Sequence, residues 1–256
     1  MRSAANVARL APYAGLARSY DIALGRGSLS RVTGTLRRLI RRYGIAFRSA
    51  ADIGCGTGLF AAHLAKHWRI PVFAVDRSKS MLREAFRNGS ARHAYILCQD
   101  IRMLTLPRPV DLITANFDTI NHVINPADVA ETFRRVHGNL RLGGHFIFDF
   151  VTDKQPWLAT QVYVRRLPAH GCDVAQRIVW DPLRKLIIVA LTQRWLRLGI
   201  RTVENHVERA YAPLDMARWL RDAGFSIRAI LDAATLEQAH ARSRRIVVVA
   251  HRGGSV

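Results

Sequence analysis

The segment Ala51-Asp52-Ile53-Gly54-Cys55-Gly56-Thr57-Gly58 constrains this chain more than any other. It follows a short apolar run and precedes Leu59-Phe60-Ala61-Ala62-His63-Leu64-Ala65-Lys66, whose apolar positions recur with helical spacing, so the glycines fall where a strand turns into a helix. Glycine adopts positive φ without a Cβ clash and lets the backbone come close to a ligand. Unpaired amides at the start of the next helix, together with its dipole, favour an anionic group at such a turn. The spacing is G-x-G-x-G; the dinucleotide pattern G-x-G-x-x-G would need glycine where Leu59 stands.

Pro71-Val72-Phe73-Ala74-Val75 reads as a buried strand ending at Asp76, 18 residues beyond Gly58. A carboxylate at a strand tip can accept from both hydroxyls of a ribose, each bond contributing about 1.5–3 kcal/mol because the acceptor is charged. The expected ligand is therefore of adenosine type. Further along, the pattern predicts strands near 50–54, 71–75, 94–98, 110–115 and 145–150 and helices near 58–67, 78–88 and 126–139. This rhythm implies a mostly parallel sheet with helices on both faces, and ligands beyond the carboxyl ends of its strands. Gly54, Asp76, Asp100, Asn116 and Asp149 all fall at such ends.

Residues 29–43 form a basic amphipathic helix, with Leu29, Val32, Leu36, Leu39, Ile40 and Tyr43 opposite Arg31, Arg37, Arg38, Arg41 and Arg42. The stretch 160–211 breaks the βαβ rhythm: segments around 173–180, 185–196 and 201–211, separated at Asp181-Pro182 and Leu198-Gly199, predict an antiparallel meander. Ala212 to Phe225 is a helix with proline near its start and a glycine stop, and strands near 225–231 and 245–250 would complete a seven-stranded sheet with an antiparallel edge. The expected organisation is one domain over 1–256. It comprises an N-terminal helical cap at 1–48, a cofactor-binding core at 49–158, an antiparallel β insert at 160–211, and the C-terminal helix and last two strands at 212–256.

Five pieces of this chain resemble the class I S-adenosylmethionine-dependent methyltransferases, in family order and spacing. They are Asp52-Ile53-Gly54-Cys55-Gly56-Thr57-Gly58, Val75-Asp76-Arg77-Ser78-Lys79-Ser80-Met81-Leu82, Gln99-Asp100-Ile101-Arg102, the stretch from Asp111 to Asn121, and Leu140-Arg141-Leu142-Gly143-Gly144 continuing to Asp149. The resemblance runs from about Tyr13 to the end of the chain and is closest to the branch acting on small molecules. It implies an α/β, Rossmann-like seven-stranded fold with the insert between strand five and the last helix, S-adenosyl-L-methionine as methyl donor and S-adenosyl-L-homocysteine as product. It also implies that the amides and carbonyls around Gly54, Cys55, Gly56, Thr57 and Gly58 hold the methionine moiety and that Asp76 holds the ribose. Arg77 and Met81 would flank the adenine, Asp100 would accept from its exocyclic amine, Ile101 would pack on its face, and Asn116 and Phe117 would lie beside the transferred methyl.

On the acceptor side, His122 is expected as a base or acceptor-orienting group, with Asn121 beside it, and His206 resembles a histidine that points from the insert to the active site. Tyr13 and Tyr20 lie in an entry segment whose tyrosines cover the cofactor pocket; they would hydrogen-bond cofactor or acceptor, or else pack the N-terminal helix. In similar enzymes the insert roofs the acceptor pocket; a stabilising flap is the alternative. No metal is expected. Because the sulfonium is already an activated leaving group, positioning alone can supply about 7–11 kcal/mol, and a general base adds roughly 10²–10⁴-fold when the acceptor must lose a proton.

With 256 residues, 49% of them hydrophobic, the chain can bury one large α/β core. No apolar run approaches the roughly 18–20 residues of a membrane span. Cys55, Cys98 and Cys172 lack metal-ligand spacing and are odd in number, which points to a reducing, cytoplasmic setting. Against that, Arg2, Arg9 and Arg18 with no acid before Asp21 give the first residues some likeness to a mitochondrial transit peptide.

Basic residues outnumber acidic ones 39 to 19, for a formal charge of +20. Such a field attracts nucleic acid, anionic lipid or an acidic partner, yet the arginines are spread along the whole chain, as on a solvated basic surface. Arg165, Arg166, Arg177 and Arg194 in the insert hint at an acidic or phosphorylated acceptor.

The leading expectation is methyl transfer to a nitrogen or oxygen of a small molecule. A nucleic-acid methyltransferase is the rival suggested by charge. Amino methylation of a base would call for an Asn/Asp-Pro-Pro-aromatic motif where this chain has Asn116-Phe117-Asp118-Thr119, and pyrimidine C5 methylation for a Pro-Cys pair it lacks. A non-catalytic S-adenosylmethionine-binding scaffold is the rival from another class. An NAD-dependent dehydrogenase is disfavoured by Leu59 and by the absence of a Tyr-x-x-x-Lys pair.

Overall fold

The computed structural model describes residues 7–154, 161–167 and 171–253. In chain order the N-terminal part holds β1 (Val7–Leu10), α1 (Ala17–Tyr20) and α2 (Arg26–Tyr43). The βαβ part follows with β2 (Ala50–Ile53), α3 (Leu59–Trp68), β3 (Val72–Asp76), α4 (Lys79–Arg87), β4 (Tyr95–Cys98), β5 (Val110–Ala115), α5 (Pro126–Gly138) and β6 (Leu140–Val151). Then come β7 (Gln161–Leu167), β8 (Cys172–Asp181), β9 (Leu186–Trp195) and β10 (Ile200–Arg209), and finally α6 (Pro213–Asp222), β11 (Ser226–Asp232) and β12 (Arg245–His251).

Seven strands form the main sheet in the order β11-β12-β6-β5-β2-β3-β4. From β6 to β4 every pairing is parallel, while β12 runs antiparallel to both β6 and β11. The reversed strand is thus one in from the edge, not the edge itself. The short 233–244 connection lets β12 return antiparallel beside β11, whereas β11 is reached from β6 by a long crossover ending in α6, which restores the parallel direction.

Alternation along the strands sends side chains to two apolar layers. Phe146, Phe148 and Phe150 pack with Phe133 of α5 and Leu220 of α6. Ile147, between them, packs on the opposite side with Leu39 of α2 and Leu64 of α3. Asn125 caps α5 by accepting from the Ala127 amide, with Pro126 at the first position.

A second sheet of five strands has the order β1-β10-β9-β8-β7. β7 to β10 form an antiparallel meander, and β1 joins parallel to β10. Two of these strands were not expected from sequence: β7 adds a fourth to the meander, and β1 lies in the region expected to be a helical cap. β1 is four residues long and largely exposed, so it carries no alternation of its own and owes its conformation to pairing with β10. The inner face of the meander, with Val174, Ile187, Val189 and Leu191, packs against Leu16 and Ala23 in a third apolar cluster. Among the described residues no helix is long and apolar enough to cross a membrane.

Candidate active site

Past the end of β2 the backbone is left-handed at Gly54 (φ 69°), Gly56 (φ 57°) and Gly58 (φ 75°). A Cβ at Gly54 would strike the side chain of Thr119, whereas one at Gly56 would meet no atom within 4 Å. The first glycine therefore admits the loop after β5, and the second leaves room for a ligand. A Cβ at Gly58 would lie 3.1 Å from Ser90 Cβ, so this glycine seats the turn on its neighbour and does not line the cavity.

Three amides of this turn are engaged inside the protein. Cys55 N donates to the Val75 carbonyl (3.0 Å), Gly56 N to Asp76 Oδ2 (2.8 Å) and Gly58 N to the Cys55 carbonyl (2.9 Å). The expectation that the amides of Cys55, Gly56 and Gly58 hold an anionic ligand is corrected accordingly. The turn offers space, beside two buried acids. Burial pushes Asp52 up to about 7, against hydrogen bonds from Thr114 Oγ1 (2.8 Å) and Asn116 Nδ2 (3.3 Å). Burial also raises Asp76, although the Ser78 amide (2.7 Å) and the Gly56 amide donate to it. This surrounding suits a cation such as a sulfonium or ammonium.

A cavity of about 1040 Å³ opens over these strand ends. It is lined by Tyr13, Tyr20, Gly54, Cys55, Gly56, Thr57, Asp76, Arg77, Met81, Asp100, Ile101, Asn116, Phe117 and His122, residues that the sequence reading singled out, and by Asp52, which it did not. The signal for Asp52 was an acid inside an otherwise apolar strand. Asp100 is held by Arg102 at 2.7 and 2.9 Å, with Arg77 at 3.9 Å, and the hydrogen bonds from Arg102 keep its carboxyl below the usual range. The open Gly56, the buried Asp76 at the tip of β3 and the volume together fit a nucleoside carrying a positively charged sulfur.

The loop after β5 is shaped by two consecutive non-glycine residues in the left-handed region, Phe117 (φ 53°) and Asp118 (φ 62°). Phe117 N donates to Asp149 Oδ1 (2.8 Å), and Arg245 bridges Asp118 (2.6 Å) and the other oxygen of Asp149. Asn121, expected on the acceptor side, is fully buried and lines neither cavity: its Nδ2 donates to the carbonyls of Val151 (3.0 Å) and Arg209 (2.7 Å), and its Oδ1 accepts from Val151 N (2.9 Å). With its polar atoms engaged it bolts the end of β6 to β10, which corrects its assignment as a substrate contact.

The N-terminal segment docks on Glu204 of β10. The amides of Tyr13 (2.8 Å), Gly15 and Leu16 (2.8 Å) donate to its carboxylate, and His206 Nε2 lies 3.1 Å from it. Burial works against the charge of Glu204, but bonds from His206, Leu16 and Gly15 outweigh it and hold the carboxyl below its usual range. Tyr13 itself has φ 65° and packs edge-on against His206, ring centroids 4.4 Å apart. Its hydroxyl is 2.7 Å from His122 Nε2. Burial raises the Tyr13 hydroxyl and lowers His122, so a protonated phenol meets a neutral imidazole.

A smaller cavity of about 400 Å³ lies between the second sheet and the main one. Ile178, Ile187, Val189 and Leu191 of the insert sheet form its apolar roof, and Asp118, His206, Glu208, Arg244 and Arg245 its polar wall. Tyr13, Tyr20 and Phe117 line both cavities. β10 is the partition: Asn205, Val207 and Arg209 face the larger space, His206 and Glu208 the smaller. The sequence reading missed Glu204 and Glu208, although Glu204, His206 and Glu208 alternate on one face of a strand. Of the insert arginines, Arg177 and Arg194 are exposed and line neither cavity, Arg194 pairing with Asp173 at 3.4 Å. The side chains of Arg165 and Arg166 lie outside the described residues.

This fold and site define a class I S-adenosylmethionine-dependent methyltransferase. Residues 50–144 match the family model of the methyltransferase domain, the fold is shared with S-adenosylmethionine-dependent methyltransferases, and S-adenosyl-L-methionine is the cofactor. It is 29% identical over 158 residues to the dTDP-3-amino-3,6-dideoxy-alpha-D-glucopyranose N,N-dimethyltransferase of Streptomyces fradiae, covering 60% of this chain and 58% of that one. Among solved structures it is similar to an S-adenosylmethionine-dependent methyltransferase from Clostridium acetobutylicum ATCC 824, with a TM-score of 0.78 and 24% identity over 94% of this chain and 99% of that one. It is also similar to the sugar N-methyltransferase KedS8 from Streptoalloteichus sp ATCC 53650, with a TM-score of 0.75 and 21% identity over 92% and 93% of the two chains.

Proposed function

We propose that this enzyme methylates a nitrogen or oxygen of a small, sugar-sized acceptor, chiefly by positioning it. The observation that carries this reading is the pair of cavities, of about 1040 and 400 Å³, meeting at Tyr13, Tyr20 and Phe117. The larger exceeds the needs of the donor, and the smaller is roofed by the insert sheet, a space for a ring and not for a nucleic-acid strand. The sugar amine substrate named for the S. fradiae relative supports the same acceptor class.

In this reading S-adenosyl-L-methionine supplies a methyl carbon made electrophilic by its sulfonium. Asp76 accepts from the ribose, Arg77, Met81, Asp100 and Ile101 enclose the adenine, and Asp52 with the Gly54–Gly56 turn faces the cationic end. Asn116, Phe117, Tyr20 and Tyr13 border the place of transfer, and Tyr13 with His122 orients the acceptor; His206 supports Tyr13. The insert at 160–211 is the acceptor roof, on the core at 49–158. Alignment of the two reactants then carries most of the rate.

The test is parallel calorimetric titration with S-adenosylmethionine, S-adenosylhomocysteine and NAD, followed by turnover with dTDP-3-amino-3,6-dideoxyglucose and simpler sugars. Binding of both sulfur ligands without NAD, and methylation of at least one sugar, is expected; a donor-loaded enzyme that methylates only RNA would overturn the acceptor assignment. Asp76→Ala is expected to weaken both sulfur ligands by about 1.5–3 kcal/mol; unchanged affinity would remove Asp76 from the ribose.

A further inference from the structure

Among the described residues no hydrogen-bond donor reaches the carboxyl of Glu208. Its side chain is 13% exposed, it faces the smaller cavity from β10, and it makes no hydrogen bond to any described residue; the nearest basic atom, His122 Nε2, is 3.8 Å away, beyond hydrogen-bond reach. The groups around it come from several elements. Asp118 and His122 face it from the loop after β5, Arg244 and Arg245 from the start of β12, Tyr13 and Tyr20 from the N-terminal segment, and His206 from its own strand. Arg245 is already engaged by Asp118 and Asp149. Tyr13 directs its hydroxyl to His122. The carboxyl opens onto the cavity and lacks donors from the protein, and a ligand that brings its own N–H groups against the apolar face of Ile187 and Val189 would supply them.

We propose that Glu208 binds the amino group of the acceptor and takes its proton, which makes the enzyme an N-methyltransferase of primary or secondary ring amines. The proposal rests on the small-acceptor reading above. In the step, one N–H bond of the bound ammonium breaks, its electron pair stays on nitrogen as the nucleophilic lone pair, and the proton passes to a carboxylate oxygen of Glu208. Burial favours this direction at both ends, because it lowers the affinity of the amine for its proton and raises that of the carboxyl. Glu208 is indeed pushed up, by burial first and then by Asp118, against Arg245. His122, which lines the larger cavity and is kept neutral by burial, does not compete for the proton. A hydroxyl acceptor gains little here, since its proton is far harder to remove.

The test uses the full chain saturated with S-adenosylhomocysteine, titrated calorimetrically with 3-amino-3-deoxy-D-glucose and with D-glucose in two buffers of different ionisation enthalpy. Wild type is expected to bind the amine at least ten-fold more tightly than the alcohol and to release about one proton per amine at neutral pH, fewer in alkaline buffer where the carboxyl is already ionised. Glu208→Gln, which keeps shape, should bind S-adenosylhomocysteine as wild type does while losing both the amine preference and the proton release; Glu208→Asp should recover part of each. Equal binding of amine and alcohol by wild type, or an amine preference that survives in Glu208→Gln, overturns the proposal. Failure of wild type to bind S-adenosylhomocysteine would instead strike the reading beneath it, so the two failures are distinguishable.

Discussion

Asp52 illustrates how one side chain couples the site to the stability of the protein. It is 3% exposed, and both Thr114 and Asn116 donate to the same oxygen, which leaves the other to carry a proton. Its pKa rises on folding from 3.8 to about 7, so between these values the folded state binds more protons than the unfolded one. Stability must then fall as pH rises through that window, because the linkage slope has the sign of protons bound unfolded minus folded. Asp52→Asn cannot ionise and should flatten the decline. Thermal melts from pH 4 to 8 are expected to converge at the acid end and to favour the variant at pH 8, by on the order of a few kcal/mol. A variant with the same pH slope as wild type would mean that Asp52 ionises freely.

At the scale of elements, the N-terminal segment behaves as part of the insert. Glu204 on β10 receives the amides of Tyr13, Gly15 and Leu16, and β1 pairs with the same strand. Glu204→Ala would leave these donors without an acceptor, at about 1–3 kcal/mol for each one that stays buried. Release of the segment is the cheaper outcome. Trypsin is therefore expected to cut after Arg9 or Arg18 much faster in the variant, while the thermal midpoint falls modestly; equal cleavage would mean that β1 pairing alone holds the segment.

The same elements mark what could be read from sequence. The glycine turn, Asp76 and the βαβ rhythm were legible because they rest on local chemistry: positive φ, a strand tip, a hydrophobic period. β1, the bolt at Asn121 and Glu204 were not, since each takes its meaning from a partner 30 to 194 residues away, and Glu208 takes its meaning only from the cavity that the folded strands enclose. Even the turn misled at one point. Its glycines are where expected, yet the Gly58 amide bonds within the turn and those of Cys55 and Gly56 bond to the tertiary partners Val75 and Asp76.

At the scale of the whole molecule two fields oppose each other. The formal charge is +20, carried by arginines spread over the chain, while the centre holds Asp52, Asp76, Asp118, Asp149 and Glu208. S-adenosylmethionine is a net cation, S-adenosylhomocysteine is neutral overall, and only the first is repelled at a distance. Salt screens exposed charges beyond about 10 Å at 0.1 M but acts little on buried ones. Stopped-flow association of S-adenosylmethionine is thus expected to speed up roughly several-fold between low and moderate salt, with S-adenosylhomocysteine unchanged. Parallel salt dependence for the two would show that the surface field does not reach the entrance.

β10 serves the larger cavity with Asn205, Val207 and Arg209 and the smaller with His206 and Glu208. Odd and even positions of one strand therefore form two separately adjustable surfaces. Acceptor preference can be diversified through the even-numbered face and its neighbours Ile187 and Val189 while donor recognition is left untouched, so this sheet is a natural place to evolve or engineer new substrates one face at a time.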